Sequence, residues 1–152
     1  MMPQGRAACR SEASGGVSNV YVTRSTLRGL GQPIRLKTLP GRGGTLANLW
    51  FTDELTVGWN VTAIELTTRY TASTIPPHDP SLVPTLAGIT LRGISGTGTG
   101  PVYSISGPLS GLTLDGVMLT GSAGTCMQAP GTTLARTTLT GVPASATVLP
   151  CN

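Results

Sequence analysis

Aromatic side chains make up only 4% of the 152 residues and charged ones only 11%; His78 and Lys37 are the sole histidine and lysine. Each shortage excludes something. Nucleic-acid binding draws on basic runs or on basic residues interleaved with aromatics. Here a formal charge of +4 comes from nine Arg and one Lys, scattered singly, against six carboxylates. A nucleic-acid partner is therefore rejected, whereas a dispersed positive surface suits a polyanionic carbohydrate. No apolar stretch approaches the ~20 residues of a membrane-spanning helix, so no membrane partner is expected. Residues 1–10 carry charge but no apolar core, unlike a signal peptide. Cys9, Cys126 and Cys151 make an odd count. Any two that pair leave one over, and pairing hints at an oxidising compartment. Nothing in the composition calls for a cofactor or a metal.

What the chain has in quantity is glycine (21 residues), proline (12), threonine, serine, leucine and valine. That mix suits short strands joined by tight turns, not helices. Apolar residues also recur too regularly for a disordered chain. Alternating runs repeat: Val17-Ser-Asn-Val20-Tyr-Val22, Leu46-Ala-Asn-Leu49-Trp-Phe51, Leu86-Ala-Gly-Ile89-Thr-Leu91, Ser110-Gly-Leu112-Thr-Leu114 and a weaker Thr132-Thr-Leu134-Ala-Arg-Thr137. Taking Val20, Leu49, Ile89, Leu112 and Leu134 as equivalents gives spacings of 29, 40, 23 and 22. A period in the twenties with strand-type alternation points to the stacked coils of a solenoid. The long interval contains Ile75-Pro-Pro-His-Asp-Pro80, which reads as an inserted surface loop. Further strand candidates at 33–37, 63–70 and 101–106 give several strands per coil, as a β-helix needs. Leucine-rich repeats lack support because their fixed leucine spacing is missing, and periodicity favours the solenoid over a β-sandwich. Alternate side chains should then point inward, leaving outward positions as a long sheet face on which a linear polysaccharide can lie.

One strand stands out. In Gln32-Pro-Ile-Arg35-Leu-Lys37, Ile34 and Leu36 point one way and Arg35 and Lys37 the other. Two cations within about 7 Å on one exposed face repel unless an anion lies between them. A sugar carboxylate fits: arginine grips it through a bidentate fork and lysine supplies a point charge. Ordinary solvated charges are the alternative.

This strand and the turn after it, Gly41-Arg42-Gly43-Gly44, resemble a signature of the polygalacturonases of glycoside hydrolase family 28, Arg-Ile-Lys followed by Gly-Arg-Gly-Gly, with Leu36 in place of isoleucine. Ser14-Gly-Gly-Val17-Ser-Asn-Val20-Tyr-Val22 is similar to the family's preceding coil, and Leu109-Ser-Gly-Leu112-Thr-Leu-Asp115-Gly-Val117 to a later one. Tyr70 and the Pro76-Pro-His78-Asp-Pro80 segment look like a region of the plant-type members. The resemblance covers residues 11–152. It implies an all-β fold, a right-handed parallel β-helix truncated at its N-terminal end, with residues 1–10 an atypical segment. It further implies galacturonan as the substrate, Arg35, Lys37 and Tyr70 as substrate-binding residues, a Cys126–Cys151 disulfide, and a secreted parent family acting in pectin and cell-wall carbohydrate metabolism.

The departures are as telling. The family hydrolyses with inversion through Asn-Thr-Asp, Asp-Asp and Gly-His-Gly motifs placed before the Arg-Ile-Lys strand. Inverting hydrolysis needs a protonated acid at the leaving oxygen and a carboxylate activating water on the other side of the ring. The acids here are Glu12, Asp53, Glu54, Glu65, Asp79 and Asp115, and none belongs to an Asp-Asp pair. Asp53 and Glu54 are adjacent, face opposite sides of a strand, and read as a turn. His78 lies in a proline-rich loop. No catalytic residue is assigned, and the expectation is a galacturonan-binding remnant of a hydrolase, with a non-catalytic binding module or a structural β-helix as alternatives. A solenoid cut at its N-terminal end exposes strand edges and is expected to self-associate there. Asn60-Val-Thr62 matches the N-glycosylation acceptor pattern.

Overall fold

A computed structural model describes residues 7–9, 15–70, 79, 81–107, 109–122, 125–126, 133–135 and 138–139. In chain order the strands are β1 (Ala7–Cys9), β2 (Val17–Thr23), β3 (Thr26–Leu30), β4 (Ile34–Lys37), β5 (Thr45–Thr52), β6 (Leu55–Trp59), β7 (Ile64–Thr67) and β8 (Thr85–Arg92). They continue as β9 (Ile94–Pro101), β10 (Tyr103–Ser106), β11 (Leu109–Asp115), β12 (Met118–Ser122), β13 (Thr125–Cys126), β14 (Thr133–Ala135) and β15 (Thr138–Leu139). There is no helix among the described residues. Each strand pairs in parallel with the strand three places on. This builds three five-stranded sheets: β1-β4-β7-β10-β13, β2-β5-β8-β11-β14 and β3-β6-β9-β12-β15. Successive strands thus visit the first, second and third sheet in turn, an arrangement compatible with a solenoid.

A single core takes buried side chains from all three sheets. Strands in a sheet lie about 4.8 Å apart, so an inward residue rests on its register partner. Like stacks on like: Ile34 on Ile64, Leu36 on Leu66, Leu46 on Leu86, and Leu49 on Ile89 and then Leu112. Each buried aliphatic contributes about 1.5–3 kcal/mol. Tyr103 also lies inward, in register with Ile64, and burial pushes its phenol above the ordinary value. Folding thus favours the neutral phenol. That contribution is complete below about pH 10 and is lost as pH rises through the raised folded value. Melting temperature is therefore expected to fall as pH rises above about 10, and to fall less in Tyr103→Phe.

The inward pattern of the second sheet departs from plain alternation. Leu46 and Leu49 are three residues apart and both buried, as are Leu86 and Ile89, and Leu109 and Leu112. Strict alternation would put each pair on opposite faces. Between them sit Asn48 (φ 53°), Gly88 (φ 61°) and Gly111 (φ 66°), and one turn earlier Asn19 (φ 58°). A left-handed residue bends the strand so that both flanking leucines face the core. Asparagine and glycine tolerate that conformation best.

Val20, Leu49, Ile89 and Leu112 are register partners, as their spacing anticipates. Leu134 is a correction: it pairs with Leu114, two residues from the expected Leu112. A lone leucine carries no such three-then-two pattern to fix its register. The extra length of the 40-residue interval falls between β7 and β8, where an inserted loop was expected, although of residues 71–80 only Asp79 is among those described. Its carboxylate accepts bonds from the Ser81 backbone N–H (2.9 Å) and hydroxyl (2.7 Å), which hold its pKa below the ordinary value. His78, Glu12 and Cys151, and with Cys151 the expected disulfide, lie outside the described residues.

The third sheet has no counterpart in the sequence reading. Its strand β9 runs Ile94-Ser-Gly-Thr-Gly-Thr-Gly-Pro101, which looks like turn material. The glycines there make room for the rung before: a methyl group on Gly96 would overlap Val57, and one on Gly100 the Val61 backbone. Trp59 is buried against β9 and donates its indole N–H to the Gly100 carbonyl at 2.9 Å. A methyl group on Gly98 would overlap the indole, and one on Gly121 would lie 2.8 Å from Trp59 Cζ2.

Candidate functional site

On the outer face of the first sheet, Ile34 and Leu36 turn inward and Arg35 and Lys37 outward, as alternation requires. Tyr70 arrives 33 residues later in sequence, beyond the end of β7. Its backbone N–H bonds to the Thr38 carbonyl at 3.1 Å, which fixes the loop against the end of β4. The three predicted substrate-binding residues thereby come together. Lys37 Nζ stands 3.8 Å from the Tyr70 ring centroid and Arg35 Cζ 5.4 Å from it. A cation over an aromatic face gains about 0.5–2 kcal/mol, so one ring steadies two like charges.

The anion expected between the cations is partly supplied by the chain itself. Glu65 is the register partner of Arg35 one turn on, and its carboxylate pairs with Arg35 Nε. Gln32 Nε2 donates to the same Glu65 oxygen at 2.8 Å. Both ionic side chains are more than four-fifths buried (19% and 16% exposed), so the pair is partly shielded from solvent. Beside Lys37 the face continues through Thr67 and Ser106, whose hydroxyls bond each other at 2.6 Å. Counting Arg35, Lys37 and Glu65, the cluster carries a net single positive charge. Glu65 and Gln32 were missed in the sequence. The signal lay in the repeat itself: Glu65 follows Arg35 by almost the same interval that separates Val20 from Leu49.

The remaining described carboxylates lie elsewhere. Asp53 (φ 59°) and Glu54 (φ 64°) form the turn between β5 and β6, where the Asp53 carbonyl accepts the Arg24 backbone N–H at 2.9 Å. Asp115 pairs with Arg92 Nε at 3.2 Å at the far end of the second sheet. Asp79 is tied to Ser81. The Gly41-Arg42-Gly43-Gly44 turn carries the chain from β4 to β5, anchored by a bond from the Gly41 N–H to the Leu82 carbonyl at 3.0 Å. Glu65 is thus the only described carboxylate in contact with the Arg35 and Lys37 cluster, and it is engaged there. The arrangement is chemically suited to gripping an anion. Comparison with protein-family models, curated proteins and solved structures returned no match to this chain.

Proposed function

We propose that this chain is a right-handed parallel β-helix, polygalacturonase-like, whose first sheet binds an acidic polysaccharide of the galacturonan type. The handedness follows the near-universal preference of parallel crossover connections. The observation that carries the binding reading is the convergence of Arg35, Lys37 and Tyr70 on one outward face. With Glu65 on Arg35 Nε, a second edge of the guanidinium and the Lys37 ammonium offer one carboxylate a charge-assisted seat. The Ser106 hydroxyl, bonded to the buried Thr67, extends that seat along the direction in which strands stack, where a sugar chain can run. Binding without hydrolysis is the form the site supports, since an inverting mechanism needs two carboxylates facing one glycosidic bond.

The internal partners of both cations favour a second reading, a purely structural solenoid. Calorimetric titration with polygalacturonate separates the two. Lys37→Ala is expected to weaken binding about tenfold. Arg35→Ala should weaken it further, because Glu65 then stands unpaired in the site. Absence of binding by the wild-type chain decides for the structural reading, binding unchanged in Lys37→Ala places it away from the first sheet, and release of reducing ends by the wild-type chain overturns binding without hydrolysis.

Glu65→Gln offers a check of opposite sign. It removes the competing carboxylate and raises the cluster to two positive charges. Affinity at low salt is expected to rise about threefold, and the gain should fade as salt is added.

A further inference from the structure

The outer face of the third sheet carries a feature that the first-sheet site does not use. Gly58, Thr97 and Thr120 are register partners across β6, β9 and β12, with Arg28 of β3 beside Gly58, and a parallel row contains Thr56 and Met118. Where the two later rungs present Thr97 and Thr120, Gly58 presents no side chain, and the gap lies in a shallow groove of about 680 Å³. That volume lies in the range of small-ligand sites. The Arg28 stem lies across the gap, its Cγ 3.5 Å from where a Gly58 side chain would begin. Arg28 is exposed and has no carboxylate partner among the described residues, and no acidic residue lines the groove. Met118 is 59% exposed at the opposite wall, an apolar surface left in water.

We propose that this groove is a second site for an acidic oligosaccharide, seating one uronate carboxylate on Arg28 above Gly58. The hydroxyls of Thr56, Thr97 and Thr120 meet the sugar hydroxyls, and the Met118 thioether covers the apolar face of the ring. A single unpaired cation among hydroxyls and one apolar contact matches a sugar bearing one negative charge better than a neutral glycan or a densely charged polymer. The choice of a uronate rests on the reading of the first sheet; the location does not.

The test is a titration of the full chain, labelled with 13C at the methionine methyls and 15N at the backbone, with trigalacturonate. The Met118 methyl and the Thr97 and Thr120 amides are expected to shift saturably. Arg28→Ala should weaken that response at least tenfold, and Gly58→Val, which fills the notch, should abolish it. Lys37→Ala should leave it intact while weakening the response around β4. Shifts at Met118 that survive Arg28→Ala, or that a neutral trisaccharide reproduces equally, overturn the proposal. Shifts confined to β4 and β7 overturn it while sustaining the first-sheet reading, and shifts confined to the groove do the reverse.

Discussion

Replacing Trp59 with alanine is expected to lower the unfolding free energy by about 3–5 kcal/mol, the range for deleting a large buried aromatic. Two features place it at the upper end. Gly98 and Gly121 present no side chain where the indole packs, so neighbouring atoms cannot collapse far into the vacated volume. The Gly100 carbonyl also loses its indole donor in a buried setting, which adds about 1–3 kcal/mol if water does not replace it. Chemical denaturation followed by far-ultraviolet circular dichroism measures the change. A loss under about 1 kcal/mol would mean that the indole does not fill the space between β6 and β9.

Gly107→Ala is expected to be comparably severe. Gly107 has φ 89°, a left-handed conformation costing a side-chain-bearing residue about 1–2 kcal/mol. In addition, the new methyl would overlap the Thr68 hydroxyl on the rung before. Overpacking of that kind costs about 1–3 kcal/mol, for a combined loss of about 2–5 kcal/mol. The two causes separate in a double-mutant cycle. Thr68→Ala removes the obstructing oxygen, so Gly107→Ala in that background should retain only the backbone part. A coupling energy near zero would show that the hydroxyl does not hold the glycine in place.

The second sheet was largely legible because its core residues are large, regular and flanked by asparagine or glycine at a fixed offset. The spacing of Val20, Leu49, Ile89 and Leu112 is enough to mark them as register partners. The left-handed residue between paired leucines was not foreseen, since an alternation rule assumes an unbent strand and treats Asn48 and Gly88 as ordinary outward positions. The third sheet stayed hidden for a related reason. Its apolar positions, such as Val57 and Trp59, are matched by glycines on β9, and glycine reads as punctuation when it is in fact making room. In the site, Arg35, Lys37 and Tyr70 were singled out by the resemblance, and alternation agreed in putting Arg35 and Lys37 on one face. The role of Glu65 depends on register between turns, which a sequence reveals only once the repeat has been measured residue by residue.

Hydrogen bonding between every strand and the one three places later has a consequence for length. Among the described residues the strand pairing runs between adjacent turns, so stability is close to a sum of local interfaces, as in a one-dimensional stack. A full turn can then be added or removed without repacking distant parts, whereas deleting a single residue inside a strand turns the rest of that strand's side chains to the wrong face. Each turn lengthens the outer faces by about 4.8 Å. The molecule is in that sense graduated: the number of turns sets the length of its outer faces.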